Sequence, residues 1–300
     1  MSMSGAISQP AGSEGRTVDG AASQPQEITQ NIQEEARRLL QDDKVDVVIG
    51  YCQAWGDEVA SPCFVTDESQ VGKLLFNEHC YHNLARYLVG CEGYLTSRFR
   101  ADEEAPRVAL VATPATLRTI VGLIQEHQFE RDDLIVLGIV DGSPVDIEPN
   151  AIVGSIEVDR EEERRVAGEL QRLEMMSVSE RWDWWEGQFS KCIRCYACRQ
   201  VCPFCYCEQC IAEENQPQWI DRSSSAQNNR SFHIIRASHL IGRCTNCGAC
   251  DRACPMNIPL SVLYGKLAAE VQRAFGYVAG TDVEATPALV DFLTSESGER

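Results

Sequence analysis

Two cysteine runs with the same spacing are the part of this sequence most able to do chemistry. Each reads C-x2-C-x2-C-x3-C-P, the first from Cys192 to Pro203 and the second from Cys244 to Pro255. Three thiolates spaced by two residues in a tight loop can turn onto three corners of one [4Fe-4S] cluster, while the fourth cysteine points away from it. Because each fourth cysteine then serves the other cluster, the spacing predicts two neighbouring clusters and a role in electron transfer.

This crossed ligation assigns the eight cysteines to two sets. Each cluster takes three ligands from its own run and one from the end of the other run. The predicted ligands are Cys192, Cys195, Cys198 and Cys254 for the first cluster, and Cys244, Cys247, Cys250 and Cys202 for the second.

Zinc and disulfides are the other common uses of cysteine, and both fit less well. Structural zinc usually takes pairs at C-x2-4-C spacing rather than two quartets that each end in Cys-Pro. The 15 cysteines are an odd number, and the first thirty residues lack the basic and apolar regions of a secretory signal. A reducing cytoplasm is therefore the expected location. No apolar run approaches the roughly 18 residues of a membrane span, so we also expect a soluble protein without direct membrane insertion.

The charge of the chain is strongly acidic but unevenly distributed. A net charge of -18 disfavours nucleic acid, whose phosphates would be repelled. The segment from Ser190 to Met256 nevertheless carries +3, and the rest of the chain carries -21. We expect these basic residues to offset the negative charge of the cluster thiolates, and the alternative is a solvated basic face that docks an acidic partner.

The first half of the chain has the pattern of an α/β domain. A short helical pattern over residues 34–40 precedes a β-branched strand at residues 45–49. Val108–Ala112 is predicted to be a strand, and Thr113 and Pro114 then suit the N-cap and first position of a helix. A further strand at residues 133–137 completes a βαβ unit, which predicts a mostly parallel sheet with a right-handed crossover.

The second half has the pattern of helices around the cysteine runs. Residues 159–176 and 260–275 each place apolar residues at helical spacing, which predicts an α-helical dicluster ferredoxin domain after the α/β domain. The predicted divisions are a disordered tail at 1–30, the α/β domain at 31–157, a linking helix at 158–181, the dicluster domain at 182–278 and a C-terminal tail at 279–300.

Three further cysteines, Cys205, Cys207 and Cys210, follow directly behind Cys202. Their density suggests a third metal site, with a fourth ligand from the first domain; the cysteines there are Cys52, Cys63, Cys80 and Cys91. Inert buried thiols are the alternative, favoured by a spacing that matches no ferredoxin pattern.

Two stretches in the first half resemble the coenzyme F420 hydrogenase/dehydrogenase beta-subunit family. They are residues 77–88, NEHCYHNLARYL, and residues 108–117, VALVATPATL, within a resemblance that covers about residues 45–155. The second half resembles a dicluster ferredoxin, and its CPMNIPL run at 254–260 is similar to helical modules of heterodisulfide-reductase and quinone-linked subunits.

The resemblance implies FAD as a further cofactor, because flavin-bearing members of that family pass electrons between a hydride carrier and iron-sulfur clusters. The turn at Thr113 and Pro114, with Arg118 nearby, offers free N–H groups and a positive helix end as a phosphate seat. The alternative is that this turn only caps its helix. Where the family often has Thr-Pro-Cys-Gln, this chain has Thr113-Pro114-Ala115-Thr116, so a role of that thiol is not carried over.

Three functions are compatible with these residues. The leading hypothesis is an electron-transfer subunit of a cytoplasmic oxidoreductase complex of hydrogenase, formate dehydrogenase or heterodisulfide-reductase type, in which other subunits carry the catalytic site. The second is an FAD-containing oxidoreductase that exchanges hydride with a soluble carrier such as coenzyme F420. The third is an iron-sulfur redox sensor, which the lack of a basic DNA-reading segment disfavours.

Overall fold

A computed structural model describes residues 23–54, 56, 59–90, 93–96, 105–143, 145–157, 161–214, 217–218 and 220–288. The predicted disorder of residues 1–22 and the predicted tail at residues 289–300 fall outside these ranges.

A five-stranded sheet forms the centre of the first half, in the order β2-β1-β3-β4-β5. The strands are β1 (Val47–Gln53), β2 (Ala60–Val65), β3 (Val108–Ala112), β4 (Leu134–Val140) and β5 (Ala151–Ser155). All neighbouring pairs are parallel except β1 with β2, which is antiparallel and lies at one edge. The expectation of an α/β domain with a mostly parallel sheet is confirmed.

The βαβ unit consists of β3, helix α2 (Pro114–Gln125) and β4. Every residue of β3 is buried, as expected of a strand covered on both faces. Helix α2 begins at Pro114 and presents Leu117, Ile120 and Leu123 to the core.

The first helix, α1 (Pro25–Gln41), lies against β5. Ile28 and Ile32, one helical turn apart, are fully buried, and a Cβ at Gly154 on β5 would come within 2.5 Å of Ile28 Cγ1. The prediction that residues 25–30 are disordered is therefore wrong, because these two isoleucines bury against the sheet despite their polar neighbours.

The described part of the second half contains helices, turns and loops. The helices are α3 (Glu161–Glu174), α4 (Val178–Ser190), α5 (Ala197–Gln200), α6 (Ala226–His239), α7 (Ala249–Arg252) and α8 (Leu260–Phe275). Helix α3, expected to link the two halves, packs along α8, where Val166 closes over Gly265. It is therefore part of the helical half.

One continuous apolar core joins the sheet to these helices. Phe204, just behind the first cysteine run, packs so closely on α2 that a Cβ at Gly122 would lie 2.9 Å from its Cζ. The segment 279–288 also packs on α2, with Gln125 Nε2 donating hydrogen bonds to the carbonyls of Asp282 and Ala285. The prediction of a loosely attached tail is wrong for this segment, because the Gln125 side chain holds its backbone.

Candidate metal centre

The first cysteine loop (residues 192–202) and the second cysteine loop (residues 244–254) repeat one backbone conformation. Left-handed residues occur at matching places: Arg194 and Tyr196 in the first loop have φ of 57° and 60°, and Asn246 and Gly248 in the second have 55° and 69°. Each loop then ends in a four-residue helix, α5 or α7. Non-glycine residues rarely take this conformation, so its repetition indicates a shared constraint on where the sulfurs point.

The loops also supply hydrogen bonds to sulfur. The Arg194 N–H donates to Cys192 Sγ at 3.4 Å, and the Asn246 N–H donates to Cys244 in the same i+2 arrangement. The Ile258 N–H donates to Cys254 Sγ at 3.4 Å. Such bonds favour the thiolate that an iron-sulfur cluster requires and tune the cluster's potential.

The thiols fall into the two groups that crossed ligation requires. Cys192 interacts electrostatically with Cys195 and Cys254, and Cys198 interacts with Cys192 and Cys254. In the other group, Cys250 interacts with Cys244 and Cys247, and Cys202 interacts with Cys247. The last cysteine of each loop thus lies near cysteines of the other loop, and Cys205 interacts with both groups, through Cys202 and Cys198.

A small cavity lies within the second group. Its lining includes all four thiols of that group together with Arg236 and Tyr264. Burial raises the pKa of Cys244 to about 12 and that of Cys198 to about 11, so these groups are thiols until a metal replaces their protons. None of the eight is in a disulfide, and the donor set therefore fits iron-sulfur clusters.

Among the described residues, no three His, Cys, Asp or Glu side chains come close enough to share a single metal ion. A cluster places metal atoms between its ligands, so its thiolates lie farther apart than those of a lone zinc ion. What favours iron-sulfur clusters over zinc is the repeated spacing of the eight cysteines along the two loops.

Buried arginines surround the two groups of thiols. Arg236 is 5% exposed; its Nη2 donates to the Cys198 carbonyl at 2.8 Å, Nη1 donates to the Tyr264 hydroxyl, and Nε has no partner. Arg194 is 6% exposed and lies over the Phe232 ring at 4.6 Å. Their burial favours the view that basic residues offset thiolate charge, since a docking face would be solvated. The composition predicted this balance, but nothing in the sequence singled out Arg236.

Helix α2 holds the second loop through polar contacts. Arg118 Nη2 donates to the Thr245 carbonyl at 2.9 Å, and the hydroxyls of Thr119 and Thr245 lie 3.2 Å apart. At the end of α2, Glu126 accepts from Arg243 Nη2 at 2.7 Å and from the Tyr206 hydroxyl at 2.8 Å. No feature of the sequence predicted this pair of Glu126 and Arg243, which lie 117 positions apart.

The residues expected to seat a phosphate lie in two places. Thr113 precedes α2, and its hydroxyl lies 3.1 Å from that of Thr116, while Pro114 is the first residue of the helix. Arg118 faces the second cysteine loop instead of the helix start. The flavin phosphate seat stays a prediction, without support from Arg118.

The three further cysteines line a cavity of about 340 Å³ against α6, together with Arg199, Arg236, Arg243 and His239. Cys205 exchanges a hydrogen bond with Cys202, which lowers the pKa of Cys205 and raises that of Cys202. Of the partners expected from the first domain, Cys52 and Cys63 contact each other across β1 and β2, and Cys80 contacts Asn77. These three do not line the cavity, and Cys91 lies outside the described residues.

A second cavity, of about 470 Å³, opens between the α/β domain and helices α5 and α7. Tyr81, Tyr87, Arg86 and Arg252 are among its lining residues. Arg86 Nε donates to the Gln200 carbonyl at 2.7 Å, and Arg252 Nη2 donates to the Tyr81 carbonyl at 3.1 Å. This cavity therefore lies directly behind both cysteine loops.

No helix among the described residues is long and apolar enough to cross a membrane.

Known proteins match parts of this chain. Residues 188–258 match a 4Fe-4S dicluster domain. The F420-dependent formate dehydrogenase subunit beta of Methanocaldococcus jannaschii is 35% identical over 103 residues, which are 34% of this chain and 27% of that protein. The F420-dependent formate dehydrogenase 1 subunit beta of Methanococcus maripaludis is 39% identical over 105 residues, which are 35% of this chain and 26% of that protein.

The matches thus span about a quarter of the length of these curated relatives. The expected resemblance is confirmed, and so is an iron-sulfur electron-transfer character. Over about a third of its length this chain is similar to F420-dependent formate dehydrogenase beta subunits, and its residues 188–258 match a 4Fe-4S dicluster domain.

Proposed function

We propose that this chain is a cytoplasmic electron-transfer subunit that relays single electrons through two [4Fe-4S] clusters. The first cluster is held by Cys192, Cys195, Cys198 and Cys254, and the second by Cys244, Cys247, Cys250 and Cys202. This assignment is supported by the cavity that Cys202, Cys244, Cys247 and Cys250 line together, and by the interactions of Cys254 with Cys192 and of Cys202 with Cys247. Such a pair of clusters carries electrons one at a time and supplies no substrate chemistry of its own.

The helices around the loops are proposed to form a helical ferredoxin module at residues 182–278, attached to the α/β domain at residues 31–157. Support comes from the described residues between Glu161 and Phe275, where every assigned element is a helix. Within this module the protein's contribution is to hold the sulfurs, donate N–H bonds to them and surround them with buried cations.

The partners are proposed to be the other subunits of a redox complex of formate dehydrogenase type. The two relatives are beta subunits of F420-dependent formate dehydrogenases by name, which supports this class over other complexes. Cys195 is exposed and gives a partner a direct approach to the first cluster, whereas each proposed ligand of the second cluster is only partly exposed.

Anaerobic iron and sulfide analysis of the full chain tests the proposal. At least eight irons with matching sulfide per chain are expected, since each [4Fe-4S] cluster holds about four. The triple variant Cys205→Ala/Cys207→Ala/Cys210→Ala, which removes the leftover thiols, should retain about eight. Zinc in place of iron, or fewer than about eight irons in the wild-type chain, would sink the proposal.

A second candidate function is favoured by the cavity of about 470 Å³ behind the loops. Its tyrosines and arginines suit a planar, anionic cofactor, and its wall carries Val201 and Ala253, each next to a proposed cluster ligand. We propose as the alternative an FAD-containing oxidoreductase that exchanges hydride with a soluble carrier such as coenzyme F420. Stoichiometric flavin in anaerobically purified protein would support this alternative, and iron and sulfide without flavin after incubation with FAD would reject it.

A further inference from the structure

One of the three cysteines behind the first loop shares a local feature with the proposed cluster ligands. The Ala212 N–H donates to the Cys210 sulfur, as the Arg194 N–H does to Cys192 and the Asn246 N–H to Cys244. In each case the donor lies two residues after the cysteine. In the α/β domain, by contrast, Cys80 accepts from Asn77, which precedes it. The backbone therefore contacts the Cys210 sulfur as it contacts those of Cys192 and Cys244.

The space in front of these cysteines is much larger than a single ion needs. The cavity of about 340 Å³ is lined by Cys205, Cys207 and Cys210, and it exceeds the roughly 30 Å³ that one water occupies in the liquid by about tenfold. No three metal-binding side chains in the described ranges are close enough to share one ion. The volume of the cavity, and not the spacing of its sulfurs, is therefore what favours a polynuclear group over a single ion.

The cavity is also built for a negatively charged occupant. Three arginines line it; Arg199 is paired with Glu213 at 2.7 Å and Arg243 with Glu126 at 2.5 Å. Arg236 has no carboxylate partner, is 5% exposed and keeps an unpartnered Nε–H. A cluster with three thiolate ligands carries net negative charge, which this buried guanidinium would offset.

We propose that Cys205, Cys207 and Cys210 hold a third iron-sulfur cluster of the [4Fe-4S] type, in the cavity whose lining also includes His239. This site is additional to the two-cluster relay, and it can be rejected while the proposal of the relay stands. Cys205 contacts Cys202, a proposed ligand of the second cluster, so the third cluster would be its direct neighbour. Each hop between them oxidises one cluster and reduces the other by one electron, with no bond made and no proton required.

The third cluster would also open a second route to the surface. Cys207 is exposed, whereas Cys202 and Cys244 are only partly exposed. Electrons that enter at the exposed Cys195 could then leave at the exposed Cys207. The loop that carries Cys207 is fixed there, since Arg199 Nη2 donates to the Cys207 carbonyl and Tyr206 to Glu126.

The test is iron and acid-labile sulfide analysis of the full chain after anaerobic reconstitution with ferrous iron and sulfide. The wild type should hold about 12 irons, and the triple variant Cys205→Ala/Cys207→Ala/Cys210→Ala about 8. Its low-temperature EPR spectrum should lose one signal and keep the signals of the other two clusters. Cys63→Ala, which removes a thiol of the α/β core, should match the wild type.

The proposal is overturned if the reconstituted wild type stops at about 8 irons, or if the triple variant retains as many irons as the wild type. It is equally overturned if zinc or other non-iron metal fills the site. If the triple variant does not fold, the EPR spectrum of the single variant Cys207→Ala, at an exposed position, tests the site instead. Loss or a changed line shape of only the third signal is expected. An unchanged spectrum would contradict the site. Fewer than about 8 irons in the wild type would instead reject the two-cluster relay, so the two failures are distinct.

Discussion

The two cysteine loops have nearly the same backbone but different surroundings. Left-handed residues occupy equivalent positions in both, and each loop places an N–H on the sulfur of its first cysteine. The first loop, however, leaves Cys195 exposed, whereas Cys244, Cys247 and Cys250 of the second are only partly exposed and that loop is bonded to α2 through Thr245. A nearly identical loop backbone is thus combined with two environments, so the two proposed clusters are expected to differ in access and in stability.

Exposure to air should separate the two clusters most strongly. Cys195 of the first loop is exposed, whereas all four proposed ligands of the second cluster are only partly exposed, so oxygen and water reach the first cluster more readily. In air-exposed protein the EPR signal of the first cluster should therefore disappear completely while that of the second persists. Simultaneous loss of both signals, each assigned with single ligand variants, would remove the distinction.

The ion pair of Arg243 with Glu126, which anchors the second loop to the end of α2, is expected to contribute most to stability. Arg243→Met would leave the Glu126 carboxylate, 9% exposed, with the Tyr206 hydroxyl as its partner. A loss of about 3 kcal/mol in the free energy of unfolding is expected, since breaking a buried ion pair from one side is costly. Anaerobic urea denaturation followed by circular dichroism measures it.

Arg273→Met is the matched control. Its pair with Glu270 lies on the exposed side of α8, where Arg273 is 76% exposed, so a change below about 1 kcal/mol is expected. Equal effects of the two substitutions would show that the Glu126 contact does not anchor the loop.

Substitution of Arg236, which lies near both proposed clusters, should shift both reduction potentials. Substitution of Arg194 should shift only the potential of the first cluster. Arg236 interacts with Cys198 and with Cys202, whereas Arg194 lies beside Cys192. Because a cation stabilises the more negative reduced cluster, Arg236→Gln should lower both potentials, each by about 59 mV, which is a tenfold change for one electron. In an EPR-monitored redox titration, Arg194→Gln should lower only the potential of the first cluster. A shift of both potentials in Arg194→Gln, or of neither potential in Arg236→Gln, would contradict this division.

The smallest expected effect concerns the one loop position that carries a glycine. Gly248→Ala would force alanine to a φ of 69° and place Cβ 2.7 Å from Arg252 Nη1. A loss of about 1–2 kcal/mol is expected by thermal or urea unfolding. Gly168→Ala, in the exposed middle of α3 with no neighbour near its Cβ, should instead stabilise by about 0.5–1 kcal/mol. Destabilisation of equal size at both sites would mean that the left-handed loop geometry is not the cause.

The sequence predicted the parts of the fold that depend on local pattern. β3, Pro114 at the start of α2, and α8 from Leu260 to Phe275 were all expected from periodicity and capping. The helix at residues 25–30 and the packing of residues 279–288 were missed. Both depend on distant contacts, of Ile28 with β5 and of Gln125 with backbone carbonyls, which leave no mark on local composition.

The candidate site divides in the same way. The spacing of the cysteines alone predicted the two groups of thiols, because three cysteines of a short loop reach one cluster and the fourth points toward the other. The positions of Arg236 and Glu126 could not be predicted, since each acts on residues far along the chain. The sequence shows that Cys205, Cys207 and Cys210 are closely spaced. Only their packing against α6 shows that all three line one cavity.

The most direct test of the central claim is low-temperature EPR of two reduced ligand variants, prepared anaerobically and compared with the wild type. Cys254→Ser should lose or alter the signal of the cluster held by the first loop, although the substitution lies in the second loop. Cys202→Ser should do the reverse. If each variant instead damages the cluster of its own loop, the ligands are not exchanged and the proposed pair of neighbouring clusters is wrong.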